Sequence, residues 1–117
     1  MTDAFPHYYI LVDRVPFAVD LMTWARFFED IDNRQIGHDM IGKVRVSTVF
    51  LGLDHNMRAS GDPVLFETMI FGGPLDQEQW RYCTYDEAER GHAEAVTQAK
   101  IAAAKIKSIA DGAGVKP

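Results

Sequence analysis

The clearest β-strand pattern in this chain of 117 residues is KVRVSTVFLGL, which spans Lys43 to Leu53. The side chains expected on one face of that strand are Val44, Val46, Thr48 and Phe50. They alternate with Arg45, Ser47 and Val49, and a period of two residues is typical of a strand with one buried face. Toward Leu53 the pattern becomes apolar on both faces, which predicts that this end of the strand is buried.

The residues on either side of this strand predict two loops and a second strand. Asp54 to Pro63 is polar and too long for a tight turn, so it predicts a loop. Val64 to Phe71 predicts the second strand, although Glu67 and Thr68 interrupt its apolar pattern. On the other side, Gly37 is a helix stop signal, and Gly37 to Gly42 is predicted as a loop.

The N-terminal part predicts a hairpin followed by an amphipathic helix. Its strands are expected at Tyr8 to Val12 and at Val15 to Val19, and Pro16 favours an edge position for the second one. Asp20 is a suitable helix cap. The apolar residues of the helix recur every three or four positions, at Leu21, Trp24, Phe28 and Ile31.

A long second helix is predicted near the C-terminus. Thr84 and Glu87 form a capping box, in which each side chain accepts a hydrogen bond from the backbone N–H of the other residue. One face of the helix is expected to contain Ala88, His92, Ala95, Ala99, Ala102 and Ile106. Asp111 to Gly114 is predicted to end it, leaving residues 111–117 as a mobile tail.

Together these elements predict one α+β domain over residues 1–117. The order ββαββα indicates a four-stranded, mainly antiparallel sheet with two helices packed on one face. The alanine-rich far half of the last helix, Ala95 through Ile109, is a candidate seam for a homodimer instead of a cover for the sheet.

Composition and charge exclude several classes of function. The formal net charge of -5 argues against direct binding of nucleic acid, which requires a basic patch. No apolar stretch approaches the roughly 20 residues that span a bilayer, so no membrane association is expected. The single cysteine, Cys83, and the lack of a secretory signal pattern predict a reducing cytoplasm.

The sharpest cluster of chemically active side chains is Asp54, His55, Glu67 and His92. Carboxylates and imidazoles bind zinc, manganese or iron, but these residues lack the fixed local spacing of recognised metal sites. The structural alternatives are an Asx-turn role for Asp54 and a helix–sheet packing role for His92. We favour these structural roles, and we expect no cofactor.

Glu67 and Cys83 each have a structural and a catalytic interpretation. Glu67 can form a cross-strand ion pair with Arg45, or can act as a general acid or base if burial raises its pKa. Cys83 precedes a helix N-terminus, where the helix dipole lowers a thiol pKa, but a buried and inert thiol is the commoner case.

Three aromatic residues, Trp80, Tyr82 and Tyr85, are the candidate partner-binding surface. If they lie together on the outside, their flat rings would anchor a partner protein or stack on a base.

Four segments resemble small uncharacterised proteins encoded by bacteriophages and prophages. They are DLMTWARFFE (20–29), VRVSTVFLGLDH (44–55), LFETMIFGG (65–73) and RYCTYDEAE (81–89). The resemblance covers most of the chain from Tyr8 to about His92, and it implies a phage origin and action in the cytoplasm of the bacterial host. It carries no catalytic residues, because no activity is assigned to the family.

Small phage accessory proteins often act by binding, so the resemblance favours a binding protein over an enzyme. The leading hypothesis is an accessory protein that binds and inhibits a bacterial host factor in antiviral defence, as anti-CRISPR proteins do. One alternative is a ligand-binding or metal-dependent hydrolytic domain centred on Asp54, His55 and Glu67. Another is an oligomer that sequesters a nucleotide signal.

Overall fold

The computed structural model describes residues 8–56 and 60–112, which form an α+β fold with antiparallel sheets. The strands are β1 (Tyr8–Val12), β2 (Val15–Val19), β3 (Gln35–Ile41), β4 (Val44–Phe50), β5 (Phe66–Phe71) and β6 (Gln79–Tyr82). The helices are α1 (Leu21–Phe28) and α2 (Tyr85–Gly112), with a single 3₁₀ turn at Ile31–Asn33. No helix in the described ranges is long and apolar enough to cross a membrane.

The larger sheet has the order β3-β4-β5-β6, so each strand pairs with its neighbour in sequence. The predicted strands at Lys43–Leu53 and Val64–Phe71 are confirmed as β4 and β5, although both are shorter. The predicted burial toward Leu53 is wrong, because β4 ends at Phe50 and Leu53 is 37% exposed. The predicted N-terminal hairpin is also confirmed, but as a separate two-stranded sheet of β1 and β2. The Tyr9 backbone N–H fixes this hairpin beside the larger sheet by donating to the Gly52 carbonyl at 2.8 Å.

The core lies between α2 and one face of the larger sheet. Phe50, Phe66 and Ile70 have at most 1% of their surface exposed. Burying each such side chain stabilises the fold by about 1.5–3 kcal/mol. Small residues on α2 let the helix approach closely, and a Cβ atom at Gly91 would collide with the Tyr82 ring.

Helix α1 begins as predicted but ends earlier. The Asp20 carboxylate accepts a hydrogen bond from the Thr23 backbone N–H at 2.8 Å, as expected for an N-cap. The helix ends at Phe28, and Ile31 belongs to the following 3₁₀ turn. The Asn33 side chain donates to the Phe27 carbonyl, which satisfies an acceptor at the helix end and supports termination there.

The predicted loop from Gly37 to Gly42 is wrong, because most of it is strand β3. Gly37 is not a stop signal here: a Cβ atom at this position would lie 2.8 Å from the His92 ring, so only glycine fits under the helix. The register shifts between Gln35 and Gly37, which indicates a bulge. Gly42, with φ +60, occupies the tight turn between β3 and β4.

The order ββαββα is also wrong, because β3 and β6 add two strands to the predicted set. Strand β6 has only four residues, too few for their alternation of polar and aromatic side chains to be recognised as a strand on its own. It forms through its pairing with β5, which places Trp80 opposite Thr68 and Tyr82 opposite Phe66.

The capping box at the start of α2 is confirmed. The Glu87 backbone N–H donates to the Thr84 hydroxyl, and the Glu87 carboxylate accepts from the Thr84 backbone N–H, both at 3.1 Å. The predicted boundary of the tail needs correction, since Asp111 and Gly112 continue the helix. The rest of that predicted tail, 113–117, lies outside the described residues.

Candidate functional site

A row of hydrogen-bonded polar side chains crosses the interface between the larger sheet and α2. The Thr68 and Thr48 hydroxyl oxygens lie 2.5 Å apart, and Thr48 Oγ1 lies 2.7 Å from His92 Nδ1. On the other side of the ring, His92 Nε2 lies 2.7 Å from a carboxylate oxygen of Asp39. The row therefore takes one side chain from each of β3, β4, β5 and α2.

The ionised Asp39 carboxylate sets the direction of these hydrogen bonds. A carboxylate can only accept, so His92 Nε2 carries the proton and donates to it. In the neutral imidazole, Nδ1 is then an acceptor, and the Thr48 hydroxyl donates to it. The Thr48 oxygen is left to accept from the Thr68 hydroxyl. Every member of the row thus has a partner.

Carboxylate, imidazole and hydroxyl in this order are the groups of a nucleophilic triad. Thr48 and Thr68 are 0% exposed beneath α2, however, so a substrate cannot reach either hydroxyl in this conformation. The row joins the two layers of the fold. The packing role considered for His92 from the sequence is confirmed.

The four candidate ligand residues do not meet. Asp54 accepts from the backbone N–H groups of Asn56 and Val64, at 2.8 and 2.9 Å, which confirms its turn role. His55 Nδ1 lies 2.8 Å from the Leu53 carbonyl. His92 lies on the helix-covered face of the sheet, whereas Glu67 lies on the opposite face. Residues 8–56 and 60–112 contain no group of three or more histidine, cysteine, aspartate or glutamate residues able to hold a metal ion.

The partner of Glu67 is Arg81 and not Arg45. The pairing of β5 with β6 places Glu67 opposite Arg81, and Arg81 Nε donates to its carboxylate at 2.9 Å. Arg45 lies opposite Phe71, and its guanidinium carbon lies 4.0 Å from the centre of that ring. The predicted Arg45–Glu67 pair is therefore wrong, because the sequence alone did not reveal β6.

The surroundings of Cys83 favour the protonated form of its thiol. Burial raises its pKa, and the nearby carboxylates of Glu87, Asp62 and Asp54 raise it further. The thiol therefore stays protonated at neutral pH, although it lies two residues before α2. It borders a groove of about 450 Å³ that His55, Asp62 and Arg81 also line.

The three candidate partner-binding aromatics lie at the margins of the core and do not form an exposed patch. Trp80 packs against the cluster around Val46 and Ile70, and Tyr82 and Tyr85 pack against the cluster around Phe50 and Phe66. All three are half-buried. Burial is the main cause of the raised pKa of Tyr82, a hydrogen bond with Thr68 opposes the shift, and the charge of Glu94 adds to it.

The uncovered surface of the larger sheet is its other face, which we call the open face. The strand register places eleven side chains there: Gln35, His38, Met40, Arg45, Ser47, Val49, Glu67, Met69, Phe71, Gln79 and Arg81. Helix α2 contacts all four strands from the opposite side. Residues of α1 and of the hairpin join the core cluster around Phe50, also on that side. No described helix or strand packs on the open face.

With this geometry established, the chain was compared with known proteins. No protein-family model, no curated protein and no solved structure matches it. The assignment of function therefore depends on the residues themselves.

The sequence pointed to part of the open face but not to its centre. Arg45 and Glu67 were singled out for their charges. Met40 was missed because its strand was predicted as a loop, and Phe71 because it was considered only as a strand residue. The sequence of β3 has no clear period of two to reveal it, because each face combines a polar with an apolar residue: His38 with Met40, and Asp39 with Ile41.

Proposed function

We propose that this protein acts by binding a partner protein on the open face of its larger sheet. The observation that carries the proposal is a four-stranded sheet with a long helix packed on one side and, on the other, apolar side chains that no described helix or strand covers, of which Met40 is exposed and Met69 and Phe71 are half-buried. Such a scaffold presents side chains in fixed positions, so that little conformational entropy is lost when a partner binds.

The side chains of the open face are of the types that protein interfaces favour. Met40 on β3 and Met69 and Phe71 on β5 provide apolar surface on either side of β4. Aromatic residues, methionine and arginine are enriched at the centres of interfaces, and methionine adapts its shape to the partner. Arg45, stacked on Phe71, adds a planar cation beside this apolar surface.

The charge of the open face specifies the chemistry of the partner. Arg81 and Glu67 neutralise each other, whereas Arg45 makes no ion pair with any residue that the structure describes. The face thus has an available positive charge on a chain whose net charge is -5. A complementary partner presents an apolar patch bordered by carboxylates, which would guide its association and orientation.

The sequence resemblance supplies the biological setting of this proposal. A phage origin makes the partner a protein of the bacterial host, met in its cytoplasm. We propose that binding inhibits this host factor and that the factor belongs to antiviral defence. Binding would inhibit the host factor by covering the surface that it needs for its own function, and this requires no catalysis by this chain.

The test compares single substitutions on the open face with a matched control elsewhere. The tagged full-length chain captures host proteins, and the most abundant partner is purified and titrated against each variant. We expect Met40→Glu and Arg45→Glu to weaken its binding at least tenfold, about 1.4 kcal/mol. Met22→Glu on α1 is the control, because Met22 is 62% exposed and Met40 is 55% exposed.

Circular dichroism and thermal melting establish that each variant is folded. The proposal is supported if Met22→Glu binds as the wild type does while both variants of the open face lose affinity. A partner that binds all three variants equally well would show that the open face is not the docking surface.

A further inference from the structure

We propose that the partner protein contributes an extended strand, which pairs with the outer edge of β3 and continues the larger sheet. The edge involved, called here the β3 edge, is the side of residues 37–41 that faces away from β4. The inference rests on the proposed function, because the added strand would lie directly beside the open face. It specifies that backbone hydrogen bonds, as well as side chains, hold the partner there.

The first observation is the direction in which the backbone groups of β3 point. The turn between β3 and β4 has two residues, and the pair that flanks such a turn, here Ile41 with Val44, is hydrogen-bonded. In an antiparallel pair these bonds recur at every second residue, so Asp39 is bonded to β4 as well. The backbone N–H and C=O groups of His38 and Met40 therefore point away from the sheet.

The second observation is that the β3 edge is uncovered. Within residues 8–56 and 60–112, no backbone group is bonded to the outward-pointing groups of His38 and Met40. Strand β3 packs against β4 and α2, and both of these residues are exposed. Donors and acceptors that are spaced as in a strand match those of another extended chain. The edge itself therefore specifies an extended backbone as its occupant.

The third observation is that the other strand edges of the described structure are occupied, blocked or short. The Tyr9 backbone N–H, on the edge of β1, already bonds to the segment after β4. By the same alternation Pro16 points outward on β2, where it has no N–H to donate. Strand β6 has only four residues. A bulge between Gln35 and Gly37 limits the β3 edge at its start, but residues 37–41 contain neither proline nor lysine, which proteins use to protect an exposed edge.

The neighbouring side chains specify the chemistry of the added strand. Its residues opposite His38 and Met40 would point to the open face, because residues paired across two strands lie on the same side of a sheet. Met40 is 55% exposed, so an apolar residue opposite it would bury surface on both strands. The residue between them would lie opposite Asp39, whose side chain is also 55% exposed, and a donor such as serine, threonine or lysine fits there.

The experiment titrates the captured partner against full-length variants that separate the backbone of β3 from its side chains. His38→Pro removes an outward N–H, and an edge strand tolerates proline where the N–H faces solvent. His38→Ala keeps the N–H and removes only the side chain. Ala18→Pro is the control for proline itself, because Ala18 points outward in the same way on β2. We expect His38→Pro to bind at least tenfold more weakly than His38→Ala, and Ala18→Pro to bind as the wild type does.

Amide hydrogen exchange, measured by NMR on the wild-type protein with and without the partner, needs no variant to fold. The N–H groups of His38 and Met40 should exchange at least tenfold more slowly in the complex, because they become bonded to the added strand. The Arg81 N–H is the reference, since it points outward on β6 at the opposite edge of the same face. Its exchange should not change, whereas a partner that only covers the open face would give the two edges no such difference.

Slower exchange confined to His38 and Met40, with the weaker binding of His38→Pro, supports the inference. It is overturned if both amides exchange as in the free protein, or if a folded His38→Pro binds as His38→Ala does. If His38→Pro does not fold, the exchange measurement decides. Protection that appears without the partner and rises with protein concentration would assign the edge to a second copy, which also overturns the inference.

The same measurements distinguish this inference from the proposed function on which it rests. If Arg45→Glu weakens binding while His38→Pro and the exchange rates show no effect, the open face binds the partner without strand pairing. If Arg45→Glu and every variant of β3 bind as the wild type does, or if no host protein is captured, both proposals are wrong.

Discussion

Thr48 and Thr68 are polar residues with no exposed surface, and their hydroxyl groups are hydrogen-bonded to each other. A buried hydroxyl costs free energy unless it is paired, so the row from Thr68 to Asp39 stabilises the fold only while it is complete. The exposed end of the row is Asp39, whose side chain is 55% exposed. This carboxylate orients the buried ring of His92 from the edge of the sheet.

We predict that Thr48→Val destabilises the protein by about 1–3 kcal/mol, although valine has nearly the same shape as threonine. The substitution leaves His92 Nδ1 without a donor and removes the Thr48 oxygen that is bonded to the Thr68 hydroxyl. Thr48→Val with Thr68→Val should cost less than the sum of the single changes, because each single change already removes the hydrogen bond between the two hydroxyls.

Urea denaturation of the four proteins in this cycle measures the coupling. Thr97→Val is the control, because Thr97 is exposed and its hydroxyl donates to the Ala93 carbonyl in the preceding turn. It should change the free energy of unfolding by less than about 0.5 kcal/mol. Additive effects of Thr48→Val and Thr68→Val would contradict a hydrogen bond in which Thr68 donates to Thr48.

Among the elements, α2 has the best-defined start. The Glu87 carboxylate accepts hydrogen bonds from the backbone N–H groups of Cys83 and Thr84. These bonds lower the pKa of Glu87 below the ordinary value for glutamate, and the bond from Cys83 has the larger effect. The ionised form is therefore favoured in the folded state. Its contribution to stability is present above the unfolded-state pKa and is lost as the pH falls through the folded-state pKa.

We predict that the wild type loses more unfolding free energy than Glu87→Gln does between about pH 6 and about pH 3. The difference should be small, because Glu87 is exposed to solvent. Glu89→Gln, which removes a charge from the same turn, is the control and should follow the wild type. Urea midpoints measured across this pH range give the comparison, and parallel curves for the wild type and Glu87→Gln would refute the role of the cap.

How far the elements could be predicted depended on whether their signals were local. The capping box and the alternation of β4 depend on residues close in sequence, and both were predicted. Strand β3 was missed because the reason for Gly37 is His92, which lies more than fifty residues later and packs above it. Strand β6 was missed because its pairing partner, not its own four residues, defines it.

The same distinction applies to the candidate site. The chemistry of His92 and the turn role of Asp54 were recognised from residue type and local sequence. His92 is hydrogen-bonded to Asp39 and to Thr48. Which residues meet its ring depends on the strand register and on the position of α2, and no local pattern specifies either. The prediction that Arg45 is the partner of Glu67 was wrong for the same reason.

At the scale of the whole molecule, two surfaces remain for association, and the sheet separates them. The open face carries methionine, phenylalanine and arginine on a rigid sheet, and Ile101, Ile106 and Ile109 lie exposed on the part of α2 beyond Ala99. The homodimer seam predicted from Ala95 to Ile109 needs correction, because Ala95 and Ala99 are buried against the sheet and only the later residues are uncovered. A homodimer formed through those later residues would present two copies of the open face. A host protein with repeated sites would then bind with higher avidity than a single copy provides.

We predict that the melting temperature of the wild type rises with protein concentration, because mass action favours a folded dimer over unfolded monomers. Ile106→Glu should melt at a temperature that does not depend on concentration, since it remains monomeric. Ile31→Glu should keep the dependence of the wild type. Differential scanning fluorimetry over a hundredfold range of concentration provides the measurement, and Trp24 and Trp80 supply the intrinsic signal. A melting temperature that is the same at all concentrations in the wild type would mean that dimerisation contributes nothing to its stability.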